Sequence, residues 1–471
     1  MQQSGAADIS GASPAAFNVA VDSRGTLRRR PAIESYLYTS AVDSGGLSAI
    51  HVTEGGAVYA VGSGAPREVY KISAGGFDQL SDPDDGGTFV PGTSRPTIAE
   101  TEMLLVIAGG NVPRKLELAD DSISALGGGP PDASHVIPNA SRLLLNDVTL
   151  DKTKVNYSDI AQGTTTFAGH ESWGGTGTSG FFTAEARVDP VQAIGENTGE
   201  VWVWGTTNVE LHTPDPAYVY ARAAVREYGM SAPYSAINFD QTFAWIDHRR
   251  RVVVSDGRSY EVISDPIQQT LDDMSTVSDA FGFRVHEGPV DCLVWKFPTD
   301  GRTLAFQVGA GWSTWAGWNQ STENWSAFPV NCHFHRSDTD VNVVGTTSGR
   351  VGQLSMGAVT DLTVPVVARV DTGYLDRGTD ARKHCKAVYI SVRRGTVSGT
   401  TQPVVHLRYR DRPGAWSGPL EATLGVGGDT EIVIPFRSLG VYRRRQWRLE
   451  YSGSEDLAIA GVTEAYEVLE A

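Results

Sequence analysis

Cysteine is scarce in this chain, with only Cys292, Cys332 and Cys385 among 471 residues. An odd count gives no disulfide framework and fits a protein made in a reducing cytosol. No apolar run reaches the ~18 residues that a membrane-spanning helix needs. The opening MQQSGAADISGASPAAF has no basic region followed by an apolar run, so no signal peptide is expected. Long helical periodicity is missing as well. Only Pro266–Met274 reads as a helical turn or two, with Asp265 placed to cap it. The chain also lacks a Gly-x-Ser-x-Gly elbow, a phosphate-binding glycine loop and a His-Glu-x-x-His pair. No catalytic residue, cofactor or metal is expected, and the chain reads as a non-enzyme.

Cations are in short supply, and unevenly so. Residues 1–360 hold 24 lysines and arginines against 41 aspartates and glutamates, while residues 361–471 hold 15 against 14. An acidic surface of this kind has few cations with which to release counterions from a phosphate backbone. Tight DNA binding is therefore excluded. A conduit is not, since an acidic wall repels a duplex and leaves it mobile.

What the chain has is strands. Fifty-two glycines signal many turns. From Asp189 to Trp315 apolar runs, Gly or Asp-Gly turns and polar loops succeed one another as four-stranded units. Val201–Trp204 is apolar on both faces, as a strand between two layers must be. Val252–Ser255, Asp256-Gly257 and Ser259–Ile263 predict a hairpin with a type I′ turn. Strand groups fall at about 47–80, 96–126, 134–160, 189–222, 235–268, 276–318 and 328–356. The fold expected for 1–360 is a β-propeller of six or seven blades, closed by an N-terminal strand near Phe17–Pro31. Residues 361–471 alternate in Val405, Leu407 and Tyr409 and in Trp447, Leu449 and Tyr451, which predicts a C-terminal β-sandwich.

The order of three segments carries a resemblance. They are DPVQAIGENTGEVWVWGTTNVEL, REYGMSAPYSAINFDQTFAWIDHRRRVVVSDGRSYEVIS and DAFGFRVHEGPVDCLVWKFP. With the opening FNVAVDSRGTLRRRPAI and the closing YRRRQWRLEYSGSEDLAIAGVTEAYEV, the chain resembles the packaged-DNA stabilisation family of short-tailed bacteriophages, the tail hub or nozzle proteins. The likeness spans about Phe17 to Val468. It implies a virion protein assembled in the host cytoplasm, and a homo-oligomeric ring, a hexamer in that family, below the portal and adaptor. Its lumen would pass double-stranded DNA without reading sequence. Its partners would be the adaptor and the tail needle, plug, fibre or spike proteins, with no membrane span.

Several residues invite functional readings. Three arginine triplets, Arg28, Arg29 and Arg30, then Arg249, Arg250 and Arg251, then Arg443, Arg444 and Arg445, suit forked contacts to carboxylates of a neighbouring copy. The Gly/Thr-rich stretch Gly163–Phe182 is expected to project as a loop carrying Phe167, His170, Trp173, Phe181 and Phe182. Cys332, His333, His335 and Asp338 resemble a metal-ligand cluster but lack a second pair at ligand spacing, so structural roles are expected for them. Trp312, Trp315, Trp318 and Trp325 are read as packing between blades. The rival reading of the whole is a glycan-binding or glycan-cleaving propeller for host attachment. It would need those tryptophans exposed beside carboxylates at the propeller's centre. A scaffold propeller of the Trp-Asp repeat type would need more uniform repeats than these.

Overall fold

A computed structural model describes residues 16–64, 67–81, 92–160, 168–175, 177–187, 189–394, 404–424, 431–453 and 457–469. The fold is a β-propeller followed by a β-sandwich. Seven antiparallel four-stranded units follow one another. Six are continuous in sequence. They run from Leu47–Val52 to Gly76–Leu80, Thr97–Glu100 to Ile123–Ala125, Val136–Asn139 to Gly180–Thr183, Ala193–Asn197 to Val219–Arg226, Ile237–Phe239 to Tyr260–Val262, and Phe281–Glu287 to Gly311–Thr314. In the seventh blade, Val330–Arg336, Val341–Thr346 and Val351–Ser355 are completed by an N-terminal strand, Ala32–Ser35.

The second strand of each blade explains the apolar runs. Leu104–Ala108 and Arg142–Asn146 are buried along their whole length. A blade packs on a neighbour through both faces, so alternation disappears there. Fourth strands lie outermost and read polar, as in Gly76–Leu80. Successive blades are glued by pairs such as Val61 with Leu105, Val106 with Leu143, Leu144 with Val203 and Trp204 with Trp245. The ring continues through Ile246 with Trp295 and Val294 with Val344, and Val343 with Val58 closes it. Every blade is held from both sides, so the propeller leaves no naked sheet face.

Three local expectations are corrected. The strand that closes the ring is Ala32–Ser35 and not the segment near Phe17–Pro31. The Asp256-Gly257 hairpin is no two-residue turn, since Ser255 pairs with Tyr260 across four loop residues. Asp256 there accepts from the backbone N–H of Ser259 (2.6 Å) and Arg258 (2.8 Å), and these bonds hold its carboxyl down to about 2. At the helical turn, Asp265–Ile267 is a 3₁₀ turn leading into Gln268–Asp272. Its N-cap is Ser264, with no side-chain capping bond, and Asp265 lies inside the first turn.

The described residues ahead of the closing strand belong to the sandwich. Here β1 is Ala16–Phe17, β2 Val19–Val21, β3 Leu27–Arg29 and β4 the closing strand Ala32–Ser35. β1 pairs in parallel with Gly311–Thr314 of the sixth blade and antiparallel with Ala368–Asp371. One sheet therefore runs without a break from the sixth blade through β1 into Ala368–Asp371, Gln446–Tyr451, Val404–Arg410 and Leu420–Thr423. The facing sheet holds β2, β3, Leu457–Val468, Lys383–Arg394 and Glu431–Arg437. Val388, Ile390, Leu407, Phe436 and Trp447 fill the space between them.

Candidate functional site

Two places concentrate polar chemistry: the joint between propeller and sandwich, and the propeller axis. At the joint Asn18 is fully buried with φ +55°. Asn tolerates that left-handed conformation better than most residues. Its Nδ2 donates to the carbonyls of Ala316 and Val367, both at 2.9 Å, tying a propeller segment to the sandwich entry. Its Oδ1 accepts from Arg30 Nε at 2.8 Å. The Arg30 guanidinium then forks onto Asp361 at 3.0 and 2.5 Å and lies over the Phe328 ring at 4.5 Å.

The arginine triplets therefore divide. The third member of each is an internal strut. Arg30 holds Asp361, Arg251 holds Asp247 (2.9 and 2.6 Å), and Arg445 holds Asp411 (2.6 and 3.0 Å). Arg29 is buried as well, donating to the Gly453 carbonyl and lying over the Tyr451 ring. These residues are corrected as contacts to another copy, because their guanidinium groups are spent inside the chain. Arg249, Arg443 and Arg444 are exposed, while Arg28 and Arg250 are half-buried.

The expected projecting loop is also redistributed. Gly180–Thr183 is the fourth strand of the third blade, so the stretch lies within that blade and not between blades. Phe167 and its neighbours from Gly163 lie outside the described residues. His170 and Trp173 are buried, Trp173 among Leu104, Val106 and Leu145 of the second and third blades, so neither projects. Phe182 packs on His212 and Tyr220. Phe181 is exposed, with the Lys154 ammonium 4.4 Å from its ring centroid.

Side chains from non-neighbouring blades meet at the end where the inner strands begin. Arg95, leading into the second blade, sits 3.6 Å from the Phe281 ring of the sixth. It also donates to the carbonyls of Ser48 (3.0 Å) and Asn331 (2.7 Å), from the first and seventh blades. His135 of the third blade stacks on Tyr234, ahead of the fifth, at 4.8 Å. These contacts link non-neighbouring blades at that end. Lys296 is buried beside it, its Nζ donating to the Val330 carbonyl at 2.7 Å. Burial pulls Lys296 down to about 8 and Arg95 down to about 10. Burial also pushes the Cys332 thiol up to about 12, the opposite of what a nucleophile needs.

The expected cluster of Cys332, His333, His335 and Asp338 comes apart. Cys332 sits in the apolar layer between the seventh and first blades. His333 stacks on Phe283 and shares a hydrogen bond with Asn342. Asp338 pairs with Arg336. His335 alone enters a ligand-like group, with His286 and Asp340. Sequence spacing could not find this trio, because His286 comes from the neighbouring inner strand.

The tryptophans follow the packing expectation at two positions. Trp312 and Trp315 are buried between blades five and six and between six and seven. Trp318 and Trp325 are half-buried on the hairpin Gly317–Asn319/Asn324–Ser326. There Trp325 stacks on Phe17 at the joint.

No family model and no curated protein matches the chain. Among solved structures it is similar to the extracellular domain of the putative one-component system BT4673 from B. thetaiotaomicron. The match has 10% identity and a TM-score of 0.46, and covers 89% of this chain and 62% of that one. BamB from Moraxella catarrhalis matches at 8% identity and a TM-score of 0.39, over 75% of this chain and 95% of BamB. The N-terminal domain of Nup159 matches at 8% identity and a TM-score of 0.38, over 73% and 99%. The chain thus spans less than two thirds of the BT4673 domain. No helix among the described residues is long and apolar enough to cross a membrane.

Proposed function

We propose that this chain is the subunit of a phage tail nozzle, a ring that continues the DNA channel below portal and adaptor and anchors the distal tail. The observation that carries the reading is the ordered likeness from Phe17 to Val468, which runs through both domains. The unbroken sheet from the sixth blade into the sandwich fits a part that must transmit force, because strand pairing at β1 resists hinging between the two domains. The mechanism is mechanical and electrostatic. Head-to-tail contacts close a ring of copies, and the carboxylates of residues 1–360 keep the duplex off the wall. The path for DNA is the lumen between copies, since contacts between non-neighbouring blades, Arg95 with Phe281 and His135 with Tyr234, bridge one end of the propeller. Ring contacts fall to exposed groups, with Arg249, Arg443, Arg444 and Phe181 the first to try.

The test is to offer the purified chain to DNA-filled heads that carry adaptor and lack a nozzle. Uptake of a fixed number of copies, with the genome retained against nuclease, is the expected result. A chain that ignores such heads and binds glycans instead is a host-attachment module.

A further inference from the structure

We propose that His286, His335 and Asp340 form a site for one divalent transition-metal ion, zinc by its chemistry, clasping the sixth and seventh blades. His286 and His335 are the penultimate residues of the inner strands Phe281–Glu287 and Val330–Arg336. Adjacent blades set these strand ends side by side. Asp340 ends the four-residue turn between Arg336 and Val341, with φ +53°. That left-handed backbone turns its carboxylate back toward the histidines. One oxygen, Asp340 Oδ1, lies 3.0 Å from His286 Nδ1 and 3.1 Å from His335 Nε2, and the three ligand atoms all fall within 4.8 Å of one another.

Bonds of about 2.0–2.2 Å place tetrahedral zinc ligands roughly 3.3 Å apart. Both nitrogen–oxygen spacings already match. Only the two imidazoles must close up, which side-chain rotation can supply. Two imidazoles and a carboxylate suit zinc and its neighbours, whereas magnesium and calcium prefer oxygen alone. The side chains keep 39%, 31% and 49% of their exposure, which leaves an open position for water. The support beneath is built. Buried Asn342 donates to the His286 carbonyl at 2.6 Å and accepts from the His286 N–H, fixing that strand end. Nearby cations are already engaged, Arg336 with Asp338 and Arg284 with Asp291 and Asp240. This inference stands independently of the proposed tail function.

The experiment is equilibrium dialysis of the chelator-stripped full chain against zinc chloride. Uptake of one zinc per chain is expected, with a rise in unfolding temperature. His335→Gln and Asp340→Asn should each weaken uptake at least tenfold while circular dichroism stays unchanged, since both groups face solvent. Absence of saturable uptake overturns the proposal. So does uptake that is equal in the parent and in both variants, because zinc would then sit elsewhere.

Discussion

Replacing Asp361 with asparagine should loosen the joint between propeller and sandwich more than any change on the surface. The Arg30 side chain is wholly buried, and the Asp361 side chain keeps only 7% of its exposure. Two of the five hydrogen bonds of the guanidinium group go to Asp361. The others reach Asn18 and the carbonyls of Pro31 and Ala316. Asparagine keeps the size and one acceptor oxygen. It removes the counter-charge and turns an N–H group toward a cation. Losing one partner of a buried pair costs about 3–5 kcal/mol. The low end, about 3 kcal/mol, applies here because three protein acceptors stay on the guanidinium. Calorimetry should show the loss in the first unfolding transition. The pair Arg30→Met with Asp361→Leu should recover at least half of it, since a matched apolar pair removes the orphaned charge. The reasoning is refuted if Asp361→Asn unfolds like the parent, or if the double variant is as unstable as the sum of the single ones.

Three further outcomes follow from the same structure. Lys296 has its folded pKa lowered to about 8, so between pH 8 and 10 the unfolded chain holds its proton more tightly. Stability should therefore rise across that window, and Lys296→Met should flatten the rise in denaturant titrations. His135 and His333 are both pulled by burial to about 4, so stability should fall as pH drops from 6.5 toward 4. His333→Gln should make that fall shallower in melts taken at pH 5 and pH 7. At Gly229 a Cβ would stand 2.3 Å from the backbone of Thr206 and Thr207, whereas at Gly75 it would meet nothing within 4 Å. Gly229→Ala should lower the melting temperature by several degrees, and Gly75→Ala should leave it within a degree or so.

The blades were legible because their signal is local. Doubly apolar runs such as Val201–Trp204 mark strands buried on both faces, and polar turns separate them. Each of the seven groups falls in its own unit of the propeller, although the third stops short of that blade's fourth strand, Gly180–Thr183. Pairings that cross hundreds of residues were not legible. The Phe17–Pro31 segment reads simply as strand, and nothing in its pattern says that β1 pairs with Val370 and Thr314. The arginine triplets show the same limit. A run of three charges looks like surface, yet each third arginine meets an aspartate set by the fold: Asp361 lies 331 residues away, Asp411 34 and Asp247 only four. The histidine trio was half visible. His335 was singled out beside Cys332, His333 and Asp338, but strand alternation sends Cys332 into the core, and the turn delivers Asp340 in place of Asp338. His286 needed the blade-to-blade neighbourhood.

The proposed function stands on a ring of copies around a DNA-sized lumen. Its most direct measurement is the mass of the assembly on adaptor-bearing heads, with end-on images of the same particles. The expected result is a closed ring of several copies around an axial hole that admits duplex DNA, acidic on its inner wall. A chain that stays monomeric in the presence of those heads, or a ring whose carboxylates lie mainly on its outside, would contradict it.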